Sequence, residues 1–423
     1  MFRCLPVRYL KATLIIGAVV CALVVALQAG GVLPRLEPAL ARFFGLAEPR
    51  LSPSALHYVL IVVFSFGVAW TTIDISRNSL KCIVGGGALV EVLSASWILS
   101  LFGILFSPFP SAVAILLSFG AAFAYSRSEA GGRKKAVHAM FGDRISQQSF
   151  LSLVDAELPL KFDGEVCEAT VVVCEIFNHE QLAEELSVAD YVAMNNAFLR
   201  NSADFLVERG GYLDECDGES LRVIFGTPLP DSKHAITGCE SAIALAERLG
   251  EVNRECREIW KQVFDFRIGV NSGEMVVAAY GSRRLGGFSV AGEPVEFARR
   301  LCSANTIYGS RILIGAGTFL LAEEAIEVRP MELIQRHADQ RSREEVYELL
   351  ALRNVLPFEE LERRDLFWKG IVYYREQLWD EALSLFYSAR GANGADGPVE
   401  FYIRRIEQLR AGLPSLDWNN ARL

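Results

Sequence analysis

Four apolar stretches occupy the first third of the chain, and they constrain its fold more than any other feature. They cover residues 12–28, 56–72, 84–106 and 112–125. Each approaches the roughly 20 residues that a helix needs to cross about 30 Å of hydrocarbon. They also account for a hydrophobic content of 51%, which is high for a soluble protein. We therefore predict a membrane domain over residues 1–126 with four transmembrane helices.

The positive charges that flank these stretches predict their orientation. Lysine and arginine precede the first stretch, separate the second from the third and follow the fourth, at Arg3, Arg8, Lys11, Arg77, Lys81, Arg127, Arg133, Lys134 and Lys135. Such residues collect on the cytoplasmic side of a membrane, although Arg35, Arg42 and Arg50 in the first outer loop weaken the contrast. The first stretch alone would resemble a signal peptide, but three more follow it. A multi-pass inner-membrane protein with both termini in the cytoplasm is expected.

The charge balance and the cysteines exclude two other classes of protein. The net charge of −9 leaves no basic stripe to neutralise phosphates, so nucleic acid is not an expected partner. The nine cysteines occur singly, without C-x-x-C spacing. They are typical of reduced core residues, and neither disulfides nor zinc sites are expected.

The part of the chain after the membrane domain divides into a linker and an α+β domain. Residues 127–160 are charged and then amphipathic, which favours a helical coupling segment over a solvated tether. Residues 161–352 alternate between strand and helix patterns, beginning with the β-branched run 166–176. A hairpin is predicted around Asp217-Gly218, and a second strand pair, 264–270 with 274–279, is predicted to turn at Asn271-Ser272-Gly273.

The C-terminal tail, residues 361–411, forms a separate helical pattern. Its small and aromatic residues have the offsets of one 34-residue tetratricopeptide unit, at Gly370, Tyr373, Ala382, Phe386 and Ala389. A generic helical hairpin explains them equally well. Because one unit cannot bury its own face, residues 398–409 are expected to form a covering helix, with the α+β domain as the platform.

Three segments of the α+β domain carry a family resemblance. They are ATVVVCEIFN (169–178), DECDGESLRVIFG (214–226) and FSVAGEPVEFARR (288–300). In order and spacing they resemble the class III adenylate and guanylate cyclases, specifically the bacterial membrane-bound type, over about residues 133–352. The final residues LPSLDWNNARL also resemble that group. The resemblance implies a ferredoxin-like α+β fold and a head-to-tail dimer with two active sites at its interface.

The resemblance assigns metal binding to two carboxylates, and here both are glutamates. Family members use two aspartates to hold two metal ions, and the matching positions are Glu175 and Glu219. The ions, Mg²⁺ or Mn²⁺, activate the ribose 3′-hydroxyl and neutralise the triphosphate. Glutamate moves the ligating oxygens by about 1 Å or more, whereas Mg²⁺ tolerates little departure from octahedral geometry. Weak metal binding is therefore expected.

The loop after the first metal position is expected to bind phosphates. In the family it reads D-I-x-G-F-T and offers backbone amides to the substrate; here Ile176, Phe177 and Asn178 match it. Asn178 replaces a glycine and is predicted to adopt the positive φ that asparagine tolerates. Glu180, in place of threonine, adds negative charge beside a polyanion.

The resemblance also assigns two residues on a helix that the partner chain contributes. Family members use an asparagine and an arginine four residues apart, and Glu296 and Arg300 match them. Arg300 would stabilise the reacting phosphate. Glu296 would repel it, by about 4 kcal/mol at 4 Å and an effective dielectric of 20, which corresponds to about a thousandfold loss of rate.

Base recognition is assigned to two further positions. The family uses lysine and aspartate for adenine, or glutamate and cysteine for guanine, and here Glu215 and Ser289 match. A carboxylate accepts from guanine N1 and N2, and a hydroxyl donates to O6, so GTP is slightly favoured over ATP. Glu215 is equally well explained as a surface residue. A phosphate-binding lysine of the family has no clear match, although Arg341 and Arg343 lie nearby.

Two functions are consistent with these residues. The first is conversion of ATP or GTP to a 3′,5′-cyclic nucleotide and pyrophosphate, with impaired activity because of the substituted positions. The second is a catalytically inactive module that acts as a dimerisation or regulatory partner. Either a homodimer or a heterodimer with another cyclase chain would complete the site.

Overall fold

The computed structural model describes residues 7–46, 50–75, 77–156, 163–281, 286–334, 343–391 and 396–412. These residues form two compact units. Residues 7–139 with 150–156 make the first, and residues 140–149 with those from 163 onward make the second. The C-terminal segment 413–423, which resembles the family in sequence, and Arg341, a candidate for phosphate, lie outside the described residues.

The first unit contains four helices that are long and apolar enough to cross a membrane. Its elements are α1 (Val7–Ala29), α2 (Glu37–Phe43), β1 (Arg50–Leu51), α3 (Ser54–Asp74), α4 (Asn78–Leu101), β2 (Ile104–Leu105) and α5 (Phe109–Arg127), and the four candidate spans are α1, α3, α4 and α5. The ring of Phe66 packs against Gly17 of α1, and the ring of Phe119 packs against Gly85 of α4. Small residues at such points let apolar helices approach each other.

The linker is helical, as predicted, but it is interrupted twice. Its helices are α6 (Glu129–Phe141) and α7 (Gln147–Asp155). Ser128 is extended, with a ψ of 162°, and Gly142 has a φ of +55°. A left-handed glycine cannot continue an α-helix, so the helical coupling segment consists of two helices.

The second unit is built on an eight-stranded mixed sheet. Along the chain its elements are β3 (Asp163–Ile176), α8 (His179–Glu185), α9 (Val188–Leu199), a π-helical turn (Arg200–Asp204), α10 (Phe205–Glu208), β4 (Tyr212–Cys216), β5 (Ser220–Phe225), α11 (His234–Trp260), β6 (Phe266–Gly281), β7 (Gly286–Ala291), α12 (Glu293–Tyr308), β8 (Ile312–Gly315), α13 (Ala316–Ala322), β9 (Ile326–Ile334) and β10 (Glu344–Leu352). The strand order is β4-β5-β3-β6-β8-β10-β9, and β7 pairs with β6. Only the β6–β8 pair is parallel among the described pairs of this sheet. The predicted α+β class is confirmed.

Alternation along β3 divides the side chains between the two faces of the sheet. Val172, Cys174 and Ile176 pack in one core with residues of α11 such as Leu245. Since successive side chains of a strand point to opposite faces, Val173 and Glu175 lie on the other face. That is the face against which α12 packs, through contacts with β3, β6 and β8.

The turn predicted at Asn271-Ser272-Gly273 is absent. The strand β6 runs through these three residues without interruption. Asn271 is fully buried and donates a hydrogen bond from Nδ2 to the carbonyl oxygen of Pro294 at 3.1 Å. A Cβ at Gly273 would lie 2.9 Å from Pro294 Cγ, closer than such contacts allow. The polar and glycine residues that suggested a turn therefore let α12 pack closely on the strand.

The tail forms α14 (Phe358–Arg375), α15 (Trp379–Ala389) and α16 (Gly397–Arg410). Gly370 lies against the ring of Phe386, where a Cβ would come within 2.7 Å of that ring. Residues of all three helices share one core with Phe297 of α12, Leu313 of β8 and Met331 of β9. A helical hairpin with a covering third helix on the α+β domain agrees with expectation; its kinship to the tetratricopeptide unit stays a prediction.

Candidate functional site

A polar cleft of about 230 Å³ opens between the β4–β5 hairpin, the end of β3 and α12. Its lining residues are Val173, Glu175, Glu215, Asp217, Ser220, Leu221, Arg222 and Arg299. The cleft therefore brings together Glu175 and Glu215, two residues that the sequence placed in one site from segments 40 positions apart.

Glu175 stands at the end of β3, where it is paired with Ser220 on one side and Arg267 on the other. Its side chain is half-buried. Burial raises the pKa of the Glu175 carboxyl above its ordinary value, while the nearby guanidinium of Arg299 acts in the opposite direction. A carboxyl in this environment is harder to ionise, and it already has a cation of the chain beside it.

Glu215 is held by two arginines. Arg222 Nη1 lies 2.8 Å from Glu215 Oε2, and Arg299 Nη2 lies 3.2 Å from the same oxygen. Arg222 is fixed in turn by Asp214, whose Oδ2 accepts from Nε at 2.7 Å and lies 2.6 Å from Nη2. The Asp214 side chain is fully buried. An ion-pair chain thus runs from the sheet, through Glu215, to α12.

The hairpin turn follows the predicted Asp217-Gly218 geometry. Gly218 has a φ of +100°, and Asp217 Oδ1 accepts hydrogen bonds from the amides of Glu219 at 3.1 Å and Ser220 at 2.7 Å. Although burial would raise the pKa of Asp217, these hydrogen bonds hold it below its ordinary value. Asp217 therefore lines the cleft as an ionised carboxylate whose Oδ1 is already engaged.

The second predicted metal ligand, Glu219, contacts a histidine. His179 Nε2 lies 3.3 Å from Glu219 Oε2, and His179 Nδ1 lies 3.1 Å from the carbonyl oxygen of Ile176. The ring is thus held between the loop and the hairpin, and it covers an oxygen that a metal would need.

The cleft fits a divalent metal poorly. Mg²⁺ needs six oxygen ligands in nearly ideal geometry, and the described part of the chain holds no group of three or more histidine, cysteine, aspartate or glutamate side chains placed to bind a metal. Glu219 contacts His179, and Glu175 shares the cleft with Arg299. The His179 ring and the Arg299 guanidinium thus lie beside carboxylates to which the resemblance assigns metal binding.

The predicted phosphate loop has a different conformation from the one expected. The amide of Ile176 donates to Glu219 O at 2.9 Å and that of Phe177 donates to Asp265 O at 2.8 Å. Asn178 has a φ of −105°, so its predicted positive φ is wrong. Its side chain instead bridges Val263 O and Asp265 N, at 2.9 and 2.8 Å. Because these amides are engaged within the chain, they do not offer a phosphate cradle in this conformation.

The helix α12 presents Arg299 to the cleft of its own chain. Arg299 lines it, whereas Glu296 and Arg300 are not among the lining residues that the structure describes. Glu296 is exposed and Arg300 is half-buried. Their assignment to a site on a partner chain stays a prediction about the dimer.

Ser289 lies in β7, opposite Ala278 of β6, and is not among the described residues that line the cleft. Its neighbour Phe288 packs edge-on against Tyr212 of β4. The predicted pairing of Ser289 with Glu215 at one base is therefore not assembled within the single chain. Arg343, the other described candidate for phosphate, is exposed ahead of β10.

Sequence reasoning missed Arg222, Asp214 and the orientation of Arg299. A signal for Arg222 was present, because a hairpin turning at Asp217-Gly218 places it across the strand pair from Glu215. Arg299 had no such signal. Only the packing angle of α12 decides which of two adjacent arginines reaches the cleft.

Comparison with known proteins agrees with the resemblance. Residues 164–349 match the family model of the adenylate and guanylate cyclase catalytic domain. Adenylate cyclase 1 of Rhizobium meliloti is 25% identical over 164 residues, which cover 39% of this chain and 25% of that protein. An uncharacterised protein of Mycobacterium tuberculosis is 28% identical over 191 residues, which cover 45% of this chain and 32% of the relative. The matched region thus spans only a quarter to a third of these relatives.

Solved structures include similar chains. The crystal structure of the guanylyl cyclase Cya2 matches 46% of this chain and 96% of its own, with 23% identity and a TM-score of 0.42. That of the adenylyl cyclase CyaB from P. aeruginosa also matches 46% of this chain, with 23% identity and the same TM-score of 0.42.

Proposed function

Because residues 164–349 form an adenylate and guanylate cyclase catalytic domain of class III, we propose that this protein is a membrane-anchored cyclase homologue with low turnover. Its reaction would join the ribose 3′-oxygen of ATP or GTP to the α-phosphorus. The bond to pyrophosphate would break and the hydroxyl proton would be released. The matched region of the adenylate cyclase from Rhizobium meliloti supports this reaction type.

The observation that carries the proposal is the cleft itself. It gathers Glu175 and Glu215, which match the metal and base positions of the family, and it gives both an arginine neighbour. In such a cleft Arg299 would face an incoming phosphate or base edge, and Glu215 would accept from a purine. The same ion pairs must separate before a nucleotide enters, which supports slow turnover.

Membrane attachment is the second part of the proposal. It is supported by the four helices that are long and apolar enough to cross a membrane, which precede the cyclase domain. The distribution of lysine and arginine favours a cytoplasmic cyclase domain in the inner membrane. A homodimer would place Glu296 and Arg300 of one chain at the other chain's cleft, and a heterodimer would do so with a different cyclase chain.

A test of turnover uses the full chain in membranes with ATP or GTP and Mn²⁺ or Mg²⁺, with cyclic nucleotide measured by mass spectrometry. The triple variant Glu175→Asp, Glu219→Asp, Glu296→Asn restores the residue types of the family. We expect little product from the native chain and at least about a tenfold gain in the variant, since removing the Glu296 repulsion alone is worth up to about 4 kcal/mol.

The matched control carries Glu251→Asp, Glu255→Asp and Glu258→Asn on the exposed side of α11, and its product should equal that of the native chain. Rapid native turnover with no gain in the triple variant would refute impaired catalysis. Nucleotide binding without product from either protein would favour the inactive regulatory module instead.

A further inference from the structure

We infer that the side chains of Arg299 and His179 occupy the places beside Glu215 and Glu219 that a divalent cation would need, and that replacing both side chains lets this cleft bind such a cation. The inference rests on the proposed function only for the identity of the cleft. It concerns binding of the ion alone, without nucleotide.

The first support is the position of Arg299. Its guanidinium lies 3.2 Å from Glu215 Oε2 and lines the same cleft as Glu175. Its side chain is half-exposed, so it reaches the cleft from the surface of α12. A cation in this place screens Glu175 and repels an incoming Mg²⁺ or Mn²⁺ by Coulomb's law.

The second support is the placement of His179 on Glu219, with Nε2 at 3.3 Å from Oε2. His179 is held by its other nitrogen near Ile176 O at 3.1 Å. The ring is therefore positioned beside the carboxylate by contacts of both nitrogens. A metal ion would have to displace it to gain both Glu219 oxygens.

The third support is the number of carboxylates that remain once Arg299 and His179 are replaced. Glu175, Glu215 and Asp217 line one cleft of about 230 Å³, and Glu219 belongs to the same hairpin turn. Arg222 would still neutralise one of these carboxylates, that of Glu215. The remaining oxygen-rich cluster has the chemistry that hard divalent cations prefer. The ring of His179 beside Glu219 and the position of Arg299 in the cleft thus act together against metal.

The experiment measures Mn²⁺ binding to the purified full-length chain in detergent by electron paramagnetic resonance. The double variant His179→Gln, Arg299→Gln keeps polar side chains of similar size. We expect it to bind Mn²⁺ at least about tenfold more tightly than the native chain, and we expect that gain to disappear when Glu175→Gln and Glu219→Gln are added.

Two controls separate a local charge effect from a general one. Arg299→Lys with His179→Gln keeps the cation, so it should gain much less affinity than the double glutamine variant. Arg254→Ala breaks an exposed ion pair with Glu251 on α11 and should leave Mn²⁺ binding unchanged.

Equal Mn²⁺ affinity in the native chain and the double glutamine variant would overturn the inference. So would native binding that is already tight and depends on Glu175 and Glu219. Circular dichroism and the thermal unfolding midpoint would verify that each variant is folded. Because this measurement contains no nucleotide, a failure of the Mn²⁺ prediction would not affect the outcome of the turnover test.

Discussion

At the scale of single residues, several polar side chains of the α+β domain bind one another. Glu215 binds two arginines. A second example lies beneath the sheet, where Thr170 Oγ1 is 2.7 Å from both His234 Nδ1 and Ser272 Oγ. All three residues are buried. Such chains of hydrogen bonds depend on which partner carries each proton.

His234 should make the stability of the protein depend on pH. Burial lowers the pKa of His234 below its ordinary value of 6.5, against the opposing effect of Glu168 and Asp231. A group with a lowered pKa in the folded state binds its proton more readily when unfolded. Its stabilising contribution is therefore complete above about pH 6.5 and is lost as the pH falls below that value.

We expect the thermal unfolding midpoint of the native chain to fall more between pH 7.5 and pH 5.5 than that of His234→Gln, which cannot titrate. The exposed His138 supplies the control, because His138→Gln should keep the pH dependence of the native chain. An identical decrease in the native chain and His234→Gln would contradict the assignment.

At the scale of elements, the glycines of β6 determine how α12 is seated. A Cβ at Gly269 would overlap the carbonyl oxygen of Ala298 and the amide nitrogen of Cys302. Both are backbone atoms of a helix, so neither is free to move aside. Gly269 is thus required for the approach that brings Arg299 to the cleft.

Gly269→Ala should therefore destabilise the α+β domain by about 2–3 kcal/mol or more, in the upper range for overpacked cores. The unfolding midpoint should fall by about 5–10 °C, at roughly 2–4 °C per kcal/mol for a domain of this size.

Gly250→Ala is the matched control, because Gly250 lies in α11 and no atom comes within 4 Å of the position that an added methyl group would take. Alanine there should be neutral or stabilise the helix by up to about 1 kcal/mol. A Gly269→Ala protein as stable as Gly250→Ala would show that α12 has room to move.

At the scale of the whole molecule, the tail is joined to the α+β domain by buried charges as well as by apolar packing. Arg329 of β9 lies 2.6 Å from Glu348 of β10 and 2.7 Å from Asp396, which caps α16. The guanidinium also lies over the ring of Phe367 in α14, 4.6 Å from its centroid. Arg405 of α16 reaches Glu332 of β9 at 2.6 Å.

Removing one partner of this buried network should loosen the tail. Arg329→Met leaves Glu348 buried without its cation, which typically costs about 3–5 kcal/mol. Limited proteolysis between residues 353 and 357 should then release the tail faster, and chemical denaturation should show the loss of stability. The double variant Arg329→Met, Glu348→Leu should recover much of it, because no unpaired charge remains between the two strands. Equal protease resistance in the native chain and Arg329→Met would mean that the Arg329 ion pairs are not needed to hold the tail.

Much of this architecture follows from local patterns. The four apolar stretches coincide with α1, α3, α4 and α5, and the Asp217-Gly218 turn joins β4 to β5 as predicted. These features depend on neighbouring residues, so periodicity and turn chemistry are enough. The Asn271-Ser272-Gly273 segment was misassigned because the same residue types serve a turn or a close helix contact, and only the position of α12 distinguishes the two.

The sequence by itself determined the family, the four apolar helices and the α+β class, and it has glutamate at Glu175 and Glu219, the two positions to which the resemblance assigns metal, since these are properties of residue types and spacing. Only the tertiary structure decided that Arg299 enters the cleft of its own chain, that Arg222 fixes Glu215, and that His179 contacts Glu219. The physical reason is that these contacts join segments from β3, the β4–β5 hairpin and α12. Their distances depend on how a helix is seated on a sheet, and one helical position rotates a side chain by about 100°.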